Sequence, residues 1–264
     1  MKSLSTYCTA ANLKLLAIVL MFLDHIHQMF YNHGAPLWLT MPGRMVFPIF
    51  LFLAADSFYY TRNRKQYLLR LYLGSAFMVI ASKIITSIFP NEYVVIANNA
   101  FSTFFVTGIY ILAYDWIKEG ILTKETKVVL KGIGLALIPF LTIIPQSLLM
   151  SYIGPDTSPV VVQALAMTTL LIPSIIMVEG GFTFVILGVF FYIFREKPWI
   201  QILGLSILSL FFFFTEPDSV QWMMVFAAIP MYLYNGEKGQ GSKYFFYIFY
   251  PAHIFILYIL ATLL

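Results

Sequence analysis

Ten runs of apolar residues follow one another along almost the whole chain, separated by short polar connections. Most contain about 20 residues, the length at which an α-helix crosses a bilayer. The chain is 60% hydrophobic and 11% charged, with a mean hydropathy of +0.84, which leaves too little polar surface for a soluble globule. We therefore predict an all-α, polytopic integral membrane protein, a helical bundle with about nine to ten transmembrane helices. The runs cover residues 12–31, 44–60, 66–89, 98–117, 127–149, 159–178, 181–195, 198–214, 220–235 and 243–264.

The first apolar run has no small-residue cleavage site at its end, which favours a retained helix over a cleaved signal peptide. The connections are too short to hold a soluble domain, so we predict a single transmembrane domain over residues 1–264. The one cysteine, Cys8, excludes a disulfide or a cysteine-based metal site within one chain, and we expect no metal. The net charge of +4 arises in short loops, where it indicates orientation and not nucleic-acid binding.

Lysine and arginine concentrate in four connections, which the positive-inside rule assigns to the cytoplasm together with the N-terminus. Ten full crossings would place two of these connections outside. We therefore predict nine crossings, with the proline-interrupted segment 159–178 re-entrant or on the outer surface; ten crossings are the alternative. The basic connections are "TRNRKQYLLR", "KEGILTKETKVVLK", "FREKPW" and "NGEKGQGSK", and the acidic ones are "FPNEYVV", "IGPDTSP" and "TEPDSVQ".

The first run, "NLKLLAIVLMFLDHIHQMFYN", carries ionisable residues that are costly inside a membrane. Lys14 and His25 share one helix face about 16 Å apart, with Lys14 nearer the cytoplasm. Asp24 shares another face with His27. Histidine titrates nearest to neutral pH, and a neighbouring carboxylate can hold its tautomer. The cluster predicts a general base, His25, supported by Asp24; a plain helix–helix hydrogen bond is the alternative.

The second run, "PGRMVFPIFLFLAADSFYYTRNRK", adds two charges. Arg44 at its outer end is level with His25, where a guanidinium can neutralise an oxyanion or bind an anionic group. Snorkelling to the interface is the other interpretation. Asp56 lies about 18 Å further in and needs a partner, for which Lys83 and Lys14 are the candidates; a structural ion pair explains it as well as catalysis does.

Polar side chains in later runs are weaker signals on their own. Glu179 precedes two glycines that begin a helix and can simply be a cap, and His253 in the last run can be an interfacial histidine. The start of the fourth run contributes Asn98, Asn99, Ser102 and Thr103.

Several stretches together resemble the TraX family of conjugal-transfer proteins, named for the acetylase of F pilin. The stretches are "LKLLAIVLMFLDHI", "GRMVFPIFLFL", "YYTRNRKQYLLRL", "VEGGFTFVILGVFFYIFR" and "LYNGEKGQGSKYFFYIFYPAHIFILYIL". The spacing of Lys14 and His25 also resembles the Arg-x10-His signature of a wider superfamily of membrane acyltransferases, with lysine replacing arginine. Lysine keeps the charge but lacks the planar guanidinium.

The resemblance implies an acetyltransferase that takes acetyl groups from cytoplasmic acetyl-CoA. The acceptor would be an amine or hydroxyl of a peptide, such as a pilin N-terminus, or of a cell-surface glycan. His25 would be the base, with Asp24 supporting it, and Arg44 or the Asn98, Asn99 and Ser102 group would stabilise the oxyanion. The residues expected to bind the coenzyme are Lys14, Arg62, Arg64, Lys65, Arg70, Asn99 and Ser102.

Two other classes of function stay open. Buried Asp56, Lys83 and the histidines can form the proton relay of a transporter or flippase, although paired interrupted helices in two halves are not evident. A structural membrane subunit is the third class, and it leaves the Asp24, His25 and His27 cluster unexplained. No Walker-type glycine loop or nucleophile elbow is present. The predicted location is the bacterial cytoplasmic membrane, with lipids as neighbours.

Overall fold

The computed structural model describes residues 7–241 and 243–264. Over these residues the chain folds into helices joined by short connections, without a β-strand. The α-helices are α1 (Ala10–Phe30), α2 (Val46–Tyr60), α3 (Arg64–Ile88), α4 (Ala100–Thr123), α5 (Thr126–Leu141), α6 (Ile143–Ser151), α7 (Pro159–Leu171), α8 (Gly181–Ile193), α9 (Pro198–Thr215), α10 (Ala228–Leu233) and α11 (Lys243–Leu263). Single turns of 3-10 helix at Tyr31–His33, Leu37–Leu39 and Pro42–Met45 join α1 to α2, and a longer one at Gln221–Ala227 leads into α10.

Each of the ten predicted apolar runs corresponds to a helical segment. Seven segments are long and apolar enough to cross a membrane, and three others, with 10–17 residues, are apolar but shorter. The prediction of an all-α, multi-pass membrane protein is confirmed. The long segments are Ala10–His33, Leu37–Tyr60, Arg64–Ile88, Ala100–Thr123, Thr126–Ser151, Pro198–Thr215 and Tyr244–Leu263, and the short ones are Pro159–Leu171, Gly181–Ile193 and Gln221–Leu233.

The helices form two compact units, and the prediction of one domain stays a prediction. The first unit contains the described residues of Met1–Tyr59, Ile84–Ile96 and Phe190–Leu264. The second contains Tyr60–Lys83 and Ala97–Val189. Two helices, α3 and α8, contribute to both units.

In the first unit, the start of α1 and the end of α2 each meet one of the predicted cytoplasmic connections. The amides of Ala10 and Ala11 donate to the carbonyls of Glu237 and Lys238, at 2.8 and 3.0 Å, and so satisfy N–H groups that the first turn of a helix leaves without partners. The Arg195 guanidinium lies 3.8 Å from the ring centroid of Tyr59, near the end of α2. These contacts define one end of the first unit, here called the basic end.

The short segment Gln221–Leu233 reaches from the opposite end of this unit to the basic end. The Gln221 side chain accepts a hydrogen bond from Arg44, at 3.3 Å, and Tyr234, which follows the segment, donates to Asp56 at 3.1 Å. The first seven residues form a 3-10 helix, which rises about 2.0 Å per residue instead of 1.5 Å. Its extended geometry explains how a short segment covers this distance.

The first and last long helices, α1 and α11, run parallel to one another. Lys14 near the start of α1 lies 5.6 Å from the ring centroid of Phe246 near the start of α11. His25 and His253, further along the two helices, are in hydrogen-bond contact. Two parallel helices that both cross a membrane require an odd number of crossings in total. Seven and nine are both odd, so the number of crossings stays a prediction.

In the second unit, α4 and α5 pack closely because glycine stands where they touch. A Cβ atom at Gly120 would lie 2.7 Å from the amide nitrogen of Val129, and one at Gly132 would lie 2.9 Å from the carbonyl oxygen of Ala113. Gly120 also accepts the amide of Glu125 after the left-handed residue Lys124. Close backbone approach of this kind is common between helices in membranes.

Segment 159–178 folds as a half-length helix followed by an irregular stretch. Helix α7 has 13 residues, about 20 Å in length, against a hydrocarbon core of about 30 Å. Its end returns to α6, where the Gln146 amide donates to the carbonyls of Thr169 and Ile172 at 3.0 and 2.6 Å. The amide of Ile175 then reaches the carbonyl of Pro139 in α5. This shape suits a re-entrant segment, and its failure to cross stays a prediction.

Candidate functional site

A pair of buried histidines joins the two parallel helices of the first unit. His25 in α1 is only 5% exposed, and His253 in α11 is only 4% exposed. The Nδ1 atom of His25 lies 2.6 Å from the Nε2 atom of His253. The two rings are nearly coplanar and meet edge to edge through these nitrogens, with centroids 4.8 Å apart and planes inclined by 16°. Two predicted candidates that are 228 residues apart in sequence therefore contact each other, and we call them the histidine pair.

The backbone of α11 holds the second histidine of this pair. His253 Nδ1 lies 2.7 Å from the carbonyl oxygen of Phe249, one helical turn earlier. The Phe249 ring stacks on one face of His253, with centroids 4.7 Å apart and an angle of 14°. Pro251 lies inside this stretch of helix. The His253 ring is thus fixed by hydrogen-bond contacts at both of its nitrogens and by the Phe249 ring on one face.

Asp24, the neighbour of His25 in sequence, belongs to a different cluster. Arg44 donates from NH2 to Asp24 Oδ1 at 2.5 Å, with the side chains 28% and 16% exposed. The Thr40 hydroxyl also donates to Asp24, and Arg44 makes further bonds to Thr40 Oγ1, to the Thr40 carbonyl and to Gln221, at 2.9, 3.3 and 3.3 Å. We call Asp24, Thr40, Arg44 and Gln221 the arginine cluster.

The expected support of His25 by Asp24 is therefore wrong. The two side chains point about 100° apart around α1, and the carboxylate is taken by Arg44 and Thr40 while His25 pairs with His253. Arg44 uses four of its five N–H donors within the arginine cluster. One N–H of Arg44 is left for an oxyanion or another anionic group, which limits the role predicted for this residue.

Close approach of the 3-10 helices to α1 creates the arginine cluster. Gly43 lies where a Cβ atom would be 2.4 Å from Asp24 Cβ, so a larger residue at this position would displace the carboxylate. The 3-10 turns before α2 bring Thr40 and Arg44 to the same side, four residues apart. Thr40 and Gln221 were absent from the sequence-based prediction. The i,i+4 spacing of Thr40 and Arg44 could have indicated that the two side chains lie together. It was missed because the predicted helix began at Arg44.

Two other predicted residues of α1 have structural partners. His27 Nδ1 lies 3.0 Å from the carbonyl oxygen of Ala35, so it ties the end of α1 to the turn that follows. Lys14 interacts electrostatically with Asp56 and with Lys238 at the basic end. The predicted pairing of Lys14 with Asp56 stays a prediction, and Asp56 accepts a hydrogen bond from Tyr234, a partner that the sequence did not reveal.

In the second unit, the start of α4 gathers the other predicted polar residues. The carboxylate of Glu179 accepts the backbone amide of Asn99 at 2.6 Å, and its carbonyl accepts the Thr103 hydroxyl at 2.7 Å. The Asn99 side chain donates to Ser75 Oγ at 3.0 Å and accepts the amide of Ser102 at 3.4 Å. Glu179 is a cap, as the alternative interpretation held, but it caps α4 and not its own helix.

The basic residues expected to bind coenzyme differ in their surroundings. Arg64 forms an ion pair with Asp115, at 2.5 Å, within the second unit. Arg62, Lys65 and Arg70 are exposed and keep their charge toward solvent. Lys83 is half-buried midway along α3. Among the described residues, no three His, Cys, Asp or Glu side chains converge as a metal site would require.

The sequence model of the family described as TraX protein matches residues 9–261. The chain belongs to the TraX family. The match extends across both units and includes every candidate residue from Lys14 to His253.

A curated relative supports the family assignment over the same length. This TraX-family chain is 27% identical to the probable fimbrial assembly protein FimC of Dichelobacter nodosus, over 266 aligned residues that cover 94% of each protein. No solved structure matches the chain.

Proposed function

We propose that this TraX-family protein is an integral-membrane acetyltransferase, with His25 as its general base. The observation that carries the proposal is the histidine pair: His25 is 5% exposed, inside a helix long enough to cross a membrane, and it pairs with a second buried histidine at 2.6 Å. Ionisable side chains at such depth are costly and commonly functional. Histidine is the side chain most often used to move protons near neutral pH.

The proposed reaction transfers acetyl from acetyl-CoA to an amine or hydroxyl. His25 takes the proton of the acceptor N–H or O–H as the acceptor attacks the thioester carbonyl. The carbon–sulfur bond then breaks, and the coenzyme thiolate takes the proton from His25. The remaining N–H of Arg44 is the proposed donor to the oxyanion of the tetrahedral intermediate, since Arg44 acts electrostatically on His25.

The donor is proposed to enter from the cytoplasm, at the basic end. Lys14 lies on the same face of α1 as His25, about 16 Å away, and faces α11 as His25 does. Lys14 and Lys238 can attract the phosphates of the coenzyme, while its flexible arm brings the thioester toward His25. Arg62, Lys65 and Arg70, in the second unit, are exposed and are separate candidates for binding the coenzyme. Asn99 and Ser102 already make hydrogen bonds in the cap of α4, so they are weaker candidates.

Acetyl-CoA binding to purified protein tests the donor site. Replacing Arg62 and Lys65 by glutamine should weaken binding at low salt and have less effect at high salt, because exposed charges are screened beyond about 10 Å at 0.1 M. Replacing Arg64 should also lower the stability of the protein, because it breaks the ion pair with Asp115. If neither Lys14→Gln nor the replacement of Arg62 and Lys65 changes the affinity for acetyl-CoA, the coenzyme binds elsewhere.

The acceptor is proposed to be a component of the bacterial envelope. The named relative is a probable fimbrial assembly protein, and the TraX family takes its name from the acetylase of F pilin, which makes a pilin-like peptide the first candidate and a cell-surface glycan the second. Mass spectrometry of envelope peptides and glycans, from cells with and without the protein, should find an acetyl group that depends on it. Identical acetylation in the two would contradict the proposal.

A transporter or flippase is the second candidate function, because two helical segments of the second unit are interrupted. Helix α5 ends at Leu141 and α6 begins at Ile143, and the chain between α7 and α8 is irregular over residues 172–180. Discontinuous helices often form substrate sites in transporters. Uptake by reconstituted vesicles without any acetylated product would favour this candidate.

A further inference from the structure

His253 makes two hydrogen bonds whose chemistry determines where its protons lie. Its Nδ1 atom is 2.7 Å from the carbonyl oxygen of Phe249, and its Nε2 atom is 2.6 Å from Nδ1 of His25. A carbonyl oxygen can only accept a hydrogen bond, so the Nδ1 atom of His253 carries a proton. A neutral imidazole has one N–H and one acceptor nitrogen, and the Nε2 atom of neutral His253 is therefore an acceptor.

The same argument extends to His25. Because His253 Nε2 accepts, His25 must donate from Nδ1, and the single proton of neutral His25 is placed on that atom. The lone pair of His25 is then on Nε2, the nitrogen that can take a proton from an acceptor group. Without the His253 acceptor, nothing in this bond would prevent neutral His25 from carrying its proton on Nε2, and that nitrogen could then not take a proton from the acceptor group.

We infer that His253 is a positioning residue, which holds His25 in the Nδ1–H tautomer and fixes the plane of its ring, so that Nε2 is ready to accept a proton. This inference rests on the proposed function of His25. Stacking of the Phe249 ring on His253, with centroids 4.7 Å apart, supports the same role because it fixes the plane of the His253 ring. Carboxylates or backbone carbonyls usually orient a histidine in this way. Here the Phe249 carbonyl orients His253, and His253 in turn orients His25.

The pair also gives the proton a defined place once it has been taken up. Protonation of Nε2 makes His25 an imidazolium whose Nδ1–H still points at His253 Nε2. The positive charge is thereby stabilised by a charge-assisted hydrogen bond. The proton cannot continue to the Phe249 carbonyl, so it returns from His25 Nε2 to the thiolate that leaves the donor.

The decisive variants are His253→Phe and His253→Gln. Phenylalanine preserves a ring that can stack on Phe249 but has no acceptor nitrogen, whereas the glutamine amide oxygen can accept from His25 Nδ1. The chain has four histidines, so ¹⁵N-histidine labelling of the full-length protein in micelles gives few signals, and nitrogen shifts separate Nδ1–H from Nε2–H rings. His33→Leu, which removes an exposed histidine, serves for assignment and as the control for activity.

We expect His25 to be an Nδ1–H ring in the wild-type protein and in His253→Gln, and to gain the Nε2–H form in His253→Phe. Acetyl transfer should fall about 100-fold or more in His253→Phe, the lower range for loss of a general base, and within about tenfold in His253→Gln. An Nε2–H ring for His25 in the wild-type protein would overturn the inference, as would an unchanged tautomer in His253→Phe. The spectra need no acetyl acceptor, so absence of acetyl transfer in the wild type would contradict the proposed function alone.

Discussion

Asp24 and His25 are consecutive residues of one helix, and they enter two different kinds of polar cluster. Asp24 lies in the arginine cluster, where most donors and acceptors are used between protein groups and both charged side chains keep some exposure. His25 lies in the histidine pair, which is almost fully buried and retains the proton chemistry of an imidazole. The ion pair of the first cluster holds structural elements together, whereas we propose that the second cluster prepares a base. The two clusters should therefore respond differently to mutation.

Breaking the arginine cluster should cost the most stability. Asp24→Ala leaves the Arg44 guanidinium without its carboxylate, and we expect a loss of about 2–3 kcal/mol, below the 3–5 kcal/mol of a fully buried pair. Asp24→Asn keeps hydrogen bonding and should cost less. Thermal unfolding in detergent measures both. If Asp24→Asn removed acetyl transfer without lowering the unfolding temperature, Asp24 would belong with His25 after all.

A steric change at Gly43 should disturb the arginine cluster without removing any of its members. The new Cβ of Gly43→Ala would lie 2.4 Å from Asp24 Cβ, and overpacking of this kind costs about 1–3 kcal/mol. Gly134→Ala is the matched control, because a Cβ there has nothing within 4 Å and alanine favours a helix. Equal unfolding temperatures for these two variants would show that α1 and the 3-10 turn are further apart than described.

The smallest effect is expected at His27. His27→Leu removes one hydrogen bond, to the carbonyl of Ala35, which is worth about 1 kcal/mol. Acetyl transfer should stay close to the wild-type rate, because this histidine ties a turn and does not contact the histidine pair. A loss of activity as deep as that of His25→Ala, at unchanged unfolding temperature, would give His27 a part in proton transfer.

The sequence predicts the helices well, because a helix that crosses a bilayer needs a length and an apolar composition that are easy to recognise. It also identifies Asp24, His25, Arg44 and His253 as costly inside a membrane. Periodicity tells which residues share a face of α1, but it does not tell which helix each face meets. His25 meets α11, more than 200 residues later, and no local pattern predicts that contact.

The arginine cluster shows a second limit of sequence-based prediction. The turns that carry Thr40 and Arg44 to Asp24 are 3-10 helices, whose spacing differs from the 3.6-residue period used to assign faces. Their position follows from the fit of Gly43 against α1, which is a property of the packed structure. The cap at Glu179 is similar, since its carboxylate serves a helix that begins 80 residues earlier.

Replacement of His25 by alanine or glutamine tests the central claim most directly. Cells that lack the protein are supplied with the wild type, His25→Ala or His25→Gln, and acetyl groups on envelope peptides and glycans are measured by mass spectrometry, with the amount of each variant in the membrane as the control. A general base contributes about 10²–10⁴-fold in rate, so neither variant should restore acetylation, although both are present at wild-type levels. Glutamine can replace a hydrogen bond but cannot take up the proton. Full acetylation with His25→Gln would mean that the histidine pair only holds α1 and α11 together.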